Sequence, residues 1–109
     1  MYGLDIFKLP FRYTQAEKML AELRGLGNCE GYITGHNGSA ACFDLALEYK
    51  INIEFLPDGK TIEAHYWGEG KHTKYFNFAD FESETIAYRN AVVEMTIEKL
   101  VRTLGNIKK

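Results

Sequence analysis

The side chains best suited to chemistry gather on two short segments that alternate like strands. Glu63, His65 and Trp67 alternate along the first segment, and His72 and Lys74 along the second. If the hairpin between them closes with a four-residue loop, all five lie on one face. An indole, two imidazoles, a carboxylate and an ammonium could stack a base or ribose and hold a phosphate by charge. This set is our candidate site for a small ligand such as a nucleotide.

A simpler interpretation of the same residues is a solvated cross-strand surface. Its Glu63–Lys74 ion pair would contribute less than about 1 kcal/mol. A metal site on His65 and His72 would need a third ligand such as Glu63, and nothing in the spacing demands one. We therefore expect no metal and no cofactor, and we interpret His36 as an exposed loop residue.

Catalytic signatures do not emerge from the sequence. No Ser-His-Asp order, paired-carboxylate signature or Cys-His pairing is recoverable, and the glycine-rich run at 35–39 lacks the lysine of a phosphate-binding loop. We expect a protein that is not an enzyme. A small hydrolase that depends on His65 or His72 is the second alternative.

A second candidate surface lies on the last predicted helix, and we interpret it as a binding surface for a partner. Its residues are Tyr88, Val92, Met95, Lys99 and Arg102. The first three lie roughly 180 to 240 degrees round the helix from the core residue Ile86. Aromatic residues, Met and Arg are enriched at interface cores, so this surface predicts docking on a protein target or on a second copy. Scattered surface hydrophobes are the alternative.

Composition bounds the class of protein. The chain has 109 residues, 46% of them hydrophobic, which is enough for one domain over 1–109. A net charge of −2 argues against general nucleic-acid binding. No apolar run predicts a membrane span or a signal peptide, so we expect a cytoplasmic protein. Cys29 and Cys42 are then ordinary reduced thiols.

Apolar alternation at residues 7–13 predicts an extended arm or edge strand over 1–13, since Pro10 cannot donate to a ladder. Thr14 and Glu17 form a capping box, which predicts a helix over 14–25 that Gly25 or Gly27 ends.

Antiparallel strands are expected over 30–78. Asn37-Gly38 predicts a hairpin tip. Residues 43–55 alternate between apolar and polar or small residues without exception, which favours one long strand. A helix that turns into a strand near Tyr49 is the alternative, because residues 40–48 are mostly good helix formers.

Two turns and a long helix complete the expected order. The turn at 57–60 sets Phe55 opposite Ile62 and Ile53 opposite Ala64, and a third strand follows over 71–78. A helix over 82–104 begins after Asp80 or Ser83. Its core stripe is Ile86, Asn90, Val93, Ile97, Leu100, Val101 and Leu104, and Gly105 stops it. The fold class is α+β: an antiparallel sheet of three to four strands flanked by an N-terminal helix and a long C-terminal helix. The long helix can cover one face of the sheet, and we expect the first helix to cover the other face, with a partner as the alternative.

Several stretches together resemble small phage accessory proteins of the ABA-sandwich kind. They are Ser39-Ala40-Ala41-Cys42, Ile51 through Lys60, Ala64-His65-Tyr66-Trp67 and Thr85-Ile86-Ala87. The resemblance covers about 65 residues and implies a helix over 39–49. It also implies a phage or mobile-element protein that inhibits a host defence component by direct binding. The function we expect is that of a non-enzymatic interaction protein that docks on a protein target or a second copy of itself through the surface on the last helix or an exposed sheet surface, and the observation that motivates it is the set Tyr88, Val92 and Met95.

Overall fold

The computed structural model describes residues 9–25 and 31–108 of the chain. Its elements are α1 (Leu9–Arg24), α2 (Gly38–Tyr49), β1 (Asn52–Phe55), β2 (Thr61–Gly68), β3 (Gly70–Asn77), a short 3-10 helix (Phe78–Asp80) and α3 (Glu84–Lys108). The strands form one antiparallel sheet in the order β1-β2-β3. The predicted α+β class is therefore confirmed, with three strands.

The long helix α3 lies between two layers. On one side it packs against the sheet, where Ala91 and Met95 join Ile62, Ala64 and Tyr66 in a core. On the other side it packs against α1 and α2, in a second core. The residues from 87 to 96 that are fully buried are Ala87, Asn90, Ala91, Val92, Val93, Met95 and Thr96. No single apolar stripe describes this helix, because it faces protein on both sides.

The predicted stripe and end of the last helix are consequently wrong in part. Asn90 and Val93 are buried, but Val101 is 46% exposed and Leu104 is 38% exposed. The helix also continues through Gly105 to Lys108. The Ser83 cap is confirmed, since its Oγ accepts from the Ile86 N–H at 3.1 Å.

The expected arm or edge strand is wrong at the residues of it that the structure describes, whereas the helix expected over 14–25 is present as part of α1. Residues 9–13 belong to α1, where Pro10 is tolerated because the first turn leaves its N–H groups without helical partners. Residues 1–8 of the expected arm lie outside the described residues. Thr14 lies inside the helix and is no N-cap, whereas Gly25, at φ +72°, ends the helix as predicted.

Glu17 has a tertiary role in place of the capping role predicted for it. Its side chain is almost fully buried, and its Oε2 accepts from the Ile33 N–H at 2.8 Å. The carboxylate thus pairs a buried backbone donor of the segment that follows α1. It ties residues 31–35 to the helix layer.

The predicted hairpin tip at Asn37-Gly38 is instead the start of α2. A β-carbon on Gly38 would approach the Tyr32 carbonyl oxygen at 2.5 Å and Arg89 Nη1 at 2.8 Å, so only glycine fits. That Arg89 nitrogen donates to the carbonyls of Ile33 and Gly35. Glycine is required at this position because the chain packs closely around the Arg89 guanidinium, and not because of a turn.

The long-strand interpretation of 43–55 is wrong, and the helix-to-strand alternative is confirmed. Cys42 and Leu45 are buried while Phe43 and Leu47 are 57% and 54% exposed, which is helical and not alternating spacing. Lys50 adopts the left-handed conformation, at φ 57°, and ends the helix before β1 begins. The helix formers prevail because Cys42 and Leu45 bury in the α3 core.

The first hairpin pairs as predicted. Phe55 lies opposite Ile62, and Ile53 lies opposite Ala64. The Asp58 carboxylate accepts from the N–H groups of Lys60 and Thr61, which fixes the turn and lowers the pKa of that carboxyl group.

Cys42 is a free, buried cysteine, as predicted, and Cys29 lies outside the described residues. Within the described ranges, no helix has the length and apolar character required to cross a bilayer.

Replacing Glu17 tests its tie to the Ile33 N–H. Glu17→Ala leaves a buried donor without a partner, and we expect it to lower the free energy of unfolding by about 1 to 3 kcal/mol. Glu17→Gln keeps an acceptor oxygen and should lose clearly less. Urea unfolding followed by circular dichroism measures both variants, and equal losses would contradict this role.

Cys42 makes stability depend on pH in the alkaline range. Burial raises the pKa of its thiol to about 12, the Arg89 charge opposes the rise and Glu17 adds to it. The unfolded thiol ionises near pH 9 and the folded one does not, so the unfolded state binds fewer protons and stability falls as pH rises. Relative to Cys42→Ala, the wild type should lose about 1.4 kcal/mol for each pH unit above 9. A difference between the two proteins that stays constant from pH 8 to about 10 would contradict this expectation.

Candidate functional site

The register between β2 and β3 decides which side chains share a face. His65 lies opposite Thr73, Trp67 opposite Lys71, and Gly68 opposite Gly70. This pairing is shifted by one residue from the four-residue loop that we expected. Because side chains alternate between the two faces of a strand, a shift of one residue moves all of β3 to the other face.

The predicted five-residue ligand site is therefore wrong as a single site. His72 lies on the face turned toward α3, where its ring stacks on Tyr66 with centroids 4.9 Å apart. Lys74 lies on that face too, with its Nζ 3.8 Å from Glu94 Oε1 and 4.0 Å from Glu98 Oε2. Only Glu63, His65 and Trp67 remain together on the opposite face.

We call that opposite face the outer face of the sheet. Its residues are Asn52, Glu54, Thr61, Glu63, His65, Trp67, Lys71, Thr73, Tyr75 and Asn77. The sheet packs on α3 with its other face, and α1 and α2 lie beyond α3. The expectation that the first helix covers this face is wrong. Trp67 and Tyr75 are accordingly 62% and 63% exposed.

A histidine and a glutamate are close together in the middle of the outer face. His65 Nδ1 is 2.9 Å from Glu63 Oε2, and the two side chains are only 14% and 13% exposed. Lys71 Nζ approaches the same carboxylate oxygen at 3.5 Å. Nδ1 and Oε2 are in close contact, but neither atom makes a hydrogen bond.

This pair helps to orient Trp67. The imidazole of His65 meets the indole edge to face, with centroids 6.4 Å apart and an interplanar angle of 88°. The indole is thus supported on one side and open to solvent on the rest of its surface. Such a ring can bind a flat or apolar group without first leaving a packed position.

The predicted partner surface on the last helix is also wrong. Val92 and Met95 are fully buried, one in each core. Tyr88 is half-buried, and burial raises the pKa of its hydroxyl, to which Cys42 adds. The helical-wheel argument assumed that one side of the helix faces water, whereas α3 is covered on both sides.

The two remaining residues of that predicted surface, Lys99 and Arg102, contact other groups of the same chain. Lys99 is half-buried: its Nζ donates to the Tyr49 carbonyl and lies 5.8 Å from the Tyr66 ring centroid. Arg102 is exposed, and its Nε donates to Glu98 Oε1 at 3.4 Å.

His36 is exposed, as predicted, beside a small pocket of about 280 Å³ next to the start of α2. Across the ranges 9–25 and 31–108, no group of three or more His, Cys, Asp or Glu side chains is placed to hold a metal ion.

Sequence reasoning missed Lys71, Thr73 and Tyr75 on the outer face. The signal that could have found them is Phe76, the apolar residue of the third strand that is buried, at 8% exposure. In the register we expected, Phe76 would lie opposite Glu63 on the outer face. Requiring it to reach the core gives the observed pairing with Ile62 and turns Tyr75 outward.

Comparison of the chain with protein-family models, with curated proteins and with solved structures finds no match.

Two neighbouring residues of β2 test which face of this strand turns toward α3 and which is the outer face. Tyr66 is 1% exposed in the core, so Tyr66→Ala should cost about 3 to 5 kcal/mol. Trp67→Ala removes a larger side chain from the outer face and should cost less than about 1 kcal/mol. Urea unfolding monitored by circular dichroism measures both losses. Similar losses for the two variants would contradict the face assignment.

Proposed function

We propose that this chain is a non-enzymatic binding protein that docks a protein partner on the outer face of its sheet. The observation that carries the proposal is the pair Trp67 and Tyr75, which the strands hold 62% and 63% exposed on a face that no described helix covers. Trp and Tyr are the residue types most often found at the centres of binding energy in interfaces.

The spacing of the two rings favours an extended partner over a small molecule. Tyr75 lies opposite Glu63, and Glu63 is four positions from Trp67 along β2. At about 3.3 Å per strand residue, the two rings are about 13 Å apart along the strand. A single base or ribose cannot contact both rings, whereas a polypeptide segment can lie across both.

The charges on the outer face favour one orientation of the bound partner segment. Lys71 lies opposite Trp67 at one end, with its side chain 42% exposed. Glu54 flanks Glu63 from β1, on the other side from Tyr75, and is exposed at the other end. A partner segment with an acidic group toward Trp67 and a basic group toward Tyr75 would complement both ends.

The strands also lower the cost of binding. The backbone on either side of Trp67 and Tyr75 is fixed in the ladder, so fewer degrees of freedom are lost on docking than for rings on a loop. The phage accessory role implied by the resemblance stays a prediction, and it would make the partner a host protein.

The test measures binding of one purified partner to matched variants. Proteins captured on the immobilised chain are identified, and each is purified and titrated against the wild type. Trp67→Ala with Tyr75→Ala should weaken binding at least about 30-fold, as expected for a centre of binding energy worth about 2 kcal/mol. Phe43→Ala with Leu47→Ala is the control, because it removes equally exposed apolar side chains from α2. Equal affinity of the Trp67 and Tyr75 variant and the wild type would refute the proposal.

The single tryptophan of the chain reports on the same site. A docked partner should shift Trp67 emission to shorter wavelength and protect it from acrylamide quenching, since the exposed ring becomes buried. We expect AMP to produce neither effect. A saturable shift with AMP would instead favour the nucleotide-binding alternative.

A further inference from the structure

A groove on the α3 side of the sheet carries apolar side chains that the two cores do not fully bury. It lies between α1, α3 and β3 and has a volume of about 630 Å³. Ala16 and Met19 of α1 and Ile97 and Val101 of α3 supply its apolar lining. Met19 is 44% exposed and Val101 is 46% exposed, and Leu104, one helical turn beyond Val101, is 38% exposed.

The charges along the α3 side of this groove have a definite order. Glu94 and Glu98 come first along the helix, and Arg102 comes last. Arg102 Nε is 3.4 Å from Glu98 Oε1, and Lys74 of β3 lies between the two carboxylates. The groove thus contains two carboxylates and two cations. Along α3 itself, the two carboxylates precede the cation Arg102, and Lys74 lies beside the carboxylates.

This order is self-complementary for two antiparallel copies. When two α3 helices cross antiparallel with the two-fold axis at position 100, next to Val101, Arg102 of one copy faces Glu98 of the partner subunit, and the same contact forms a second time by symmetry. A parallel arrangement would instead set carboxylate against carboxylate and cation against cation. The exposed apolar side chains of the groove meet at the centre of the antiparallel arrangement.

We propose that the groove binds a second copy of this chain and forms a two-fold symmetric dimer through α3. This inference goes beyond the proposed function, because the groove lies on the α3 side of the sheet and contains no residue of the outer face. The outer face points away from α3 and stays open in such a dimer. Two outer faces on one particle would let it bind two partner molecules or a two-fold symmetric one.

Charge reversal separates contacts between copies from contacts within one copy. Glu98→Arg alone and Arg102→Glu alone each place like charges across the interface twice, and we expect each to weaken the dimer at least about tenfold. In a one-to-one mixture of the two variants, the heterodimer pairs Arg at 98 with Glu at 102, and the native Arg102 with the native Glu98. The mixture should therefore dimerise as well as the wild type. Sedimentation velocity measures the three samples.

Either of two results would overturn the proposal. A wild type that stays monomeric at about 1 mM, or a mixture that dimerises no better than the single variants, overturns it. Tyr66 donates to Glu98, so circular dichroism and thermal unfolding first establish that Glu98→Arg is folded.

A second variant avoids that contact. Val101→Glu places a charge on an exposed apolar position and should yield monomers, whereas Phe43→Glu, on the equally exposed surface of α2, should leave the dimer intact. A dimer that persists in Val101→Glu at wild-type affinity also overturns the proposal. Because Val101 is remote from the outer face, Val101→Glu should keep the intrinsic affinity of each site for a partner protein, so the two proposals can fail separately.

Discussion

The fold depends on the burial of α3 from both sides. The chain of 109 residues has two cores, and α3 contributes buried residues to both of them. Its residues toward the sheet include Ala91 and Met95, and those toward the helices include Val92 and Val93. Two polar residues are buried in the same stretch. Thr96 satisfies its hydroxyl by donating to the Val92 carbonyl, and Asn90 donates its amide to Glu94.

Because both cores use the same helix, some surfaces are left that no other described element covers. The helices of the described chain lie on one side of the sheet, so the outer face meets solvent with its tryptophan and tyrosine. On the α3 side of the sheet, Val101 and Leu104 of α3 are partly exposed, and Ile97 and Val101 line a groove with α1. Both proposed binding surfaces thus follow from the same arrangement. The long helix lies between two layers, and these layers leave one face of the sheet and part of the helix exposed.

Local patterns predicted the elements whose partners are near in sequence. The turn at 57–60 gave the correct register because Asp58 fixes the loop through its own backbone neighbours. Ser83 was a correct cap for the same reason. The predictions failed where a distant contact decided the outcome. Gly38 signals a hairpin in its local sequence, yet it is glycine because Arg89, 51 positions later, fills the space beside it. Glu17 matches a capping box locally, yet it binds the Ile33 N–H.

The sequence by itself determined the α+β class, the first hairpin with its register, the third strand and the long last helix, because turn chemistry and periodicity act over a few residues. It also placed Glu63, His65 and Trp67 on one strand face. Only the tertiary structure decided which β3 residues join them, since burial of Phe76 selects between registers one residue apart. The tertiary structure likewise buried Val92 and Met95. A helical wheel shows which residues share a side, but only the packing of the other layers shows which sides meet water.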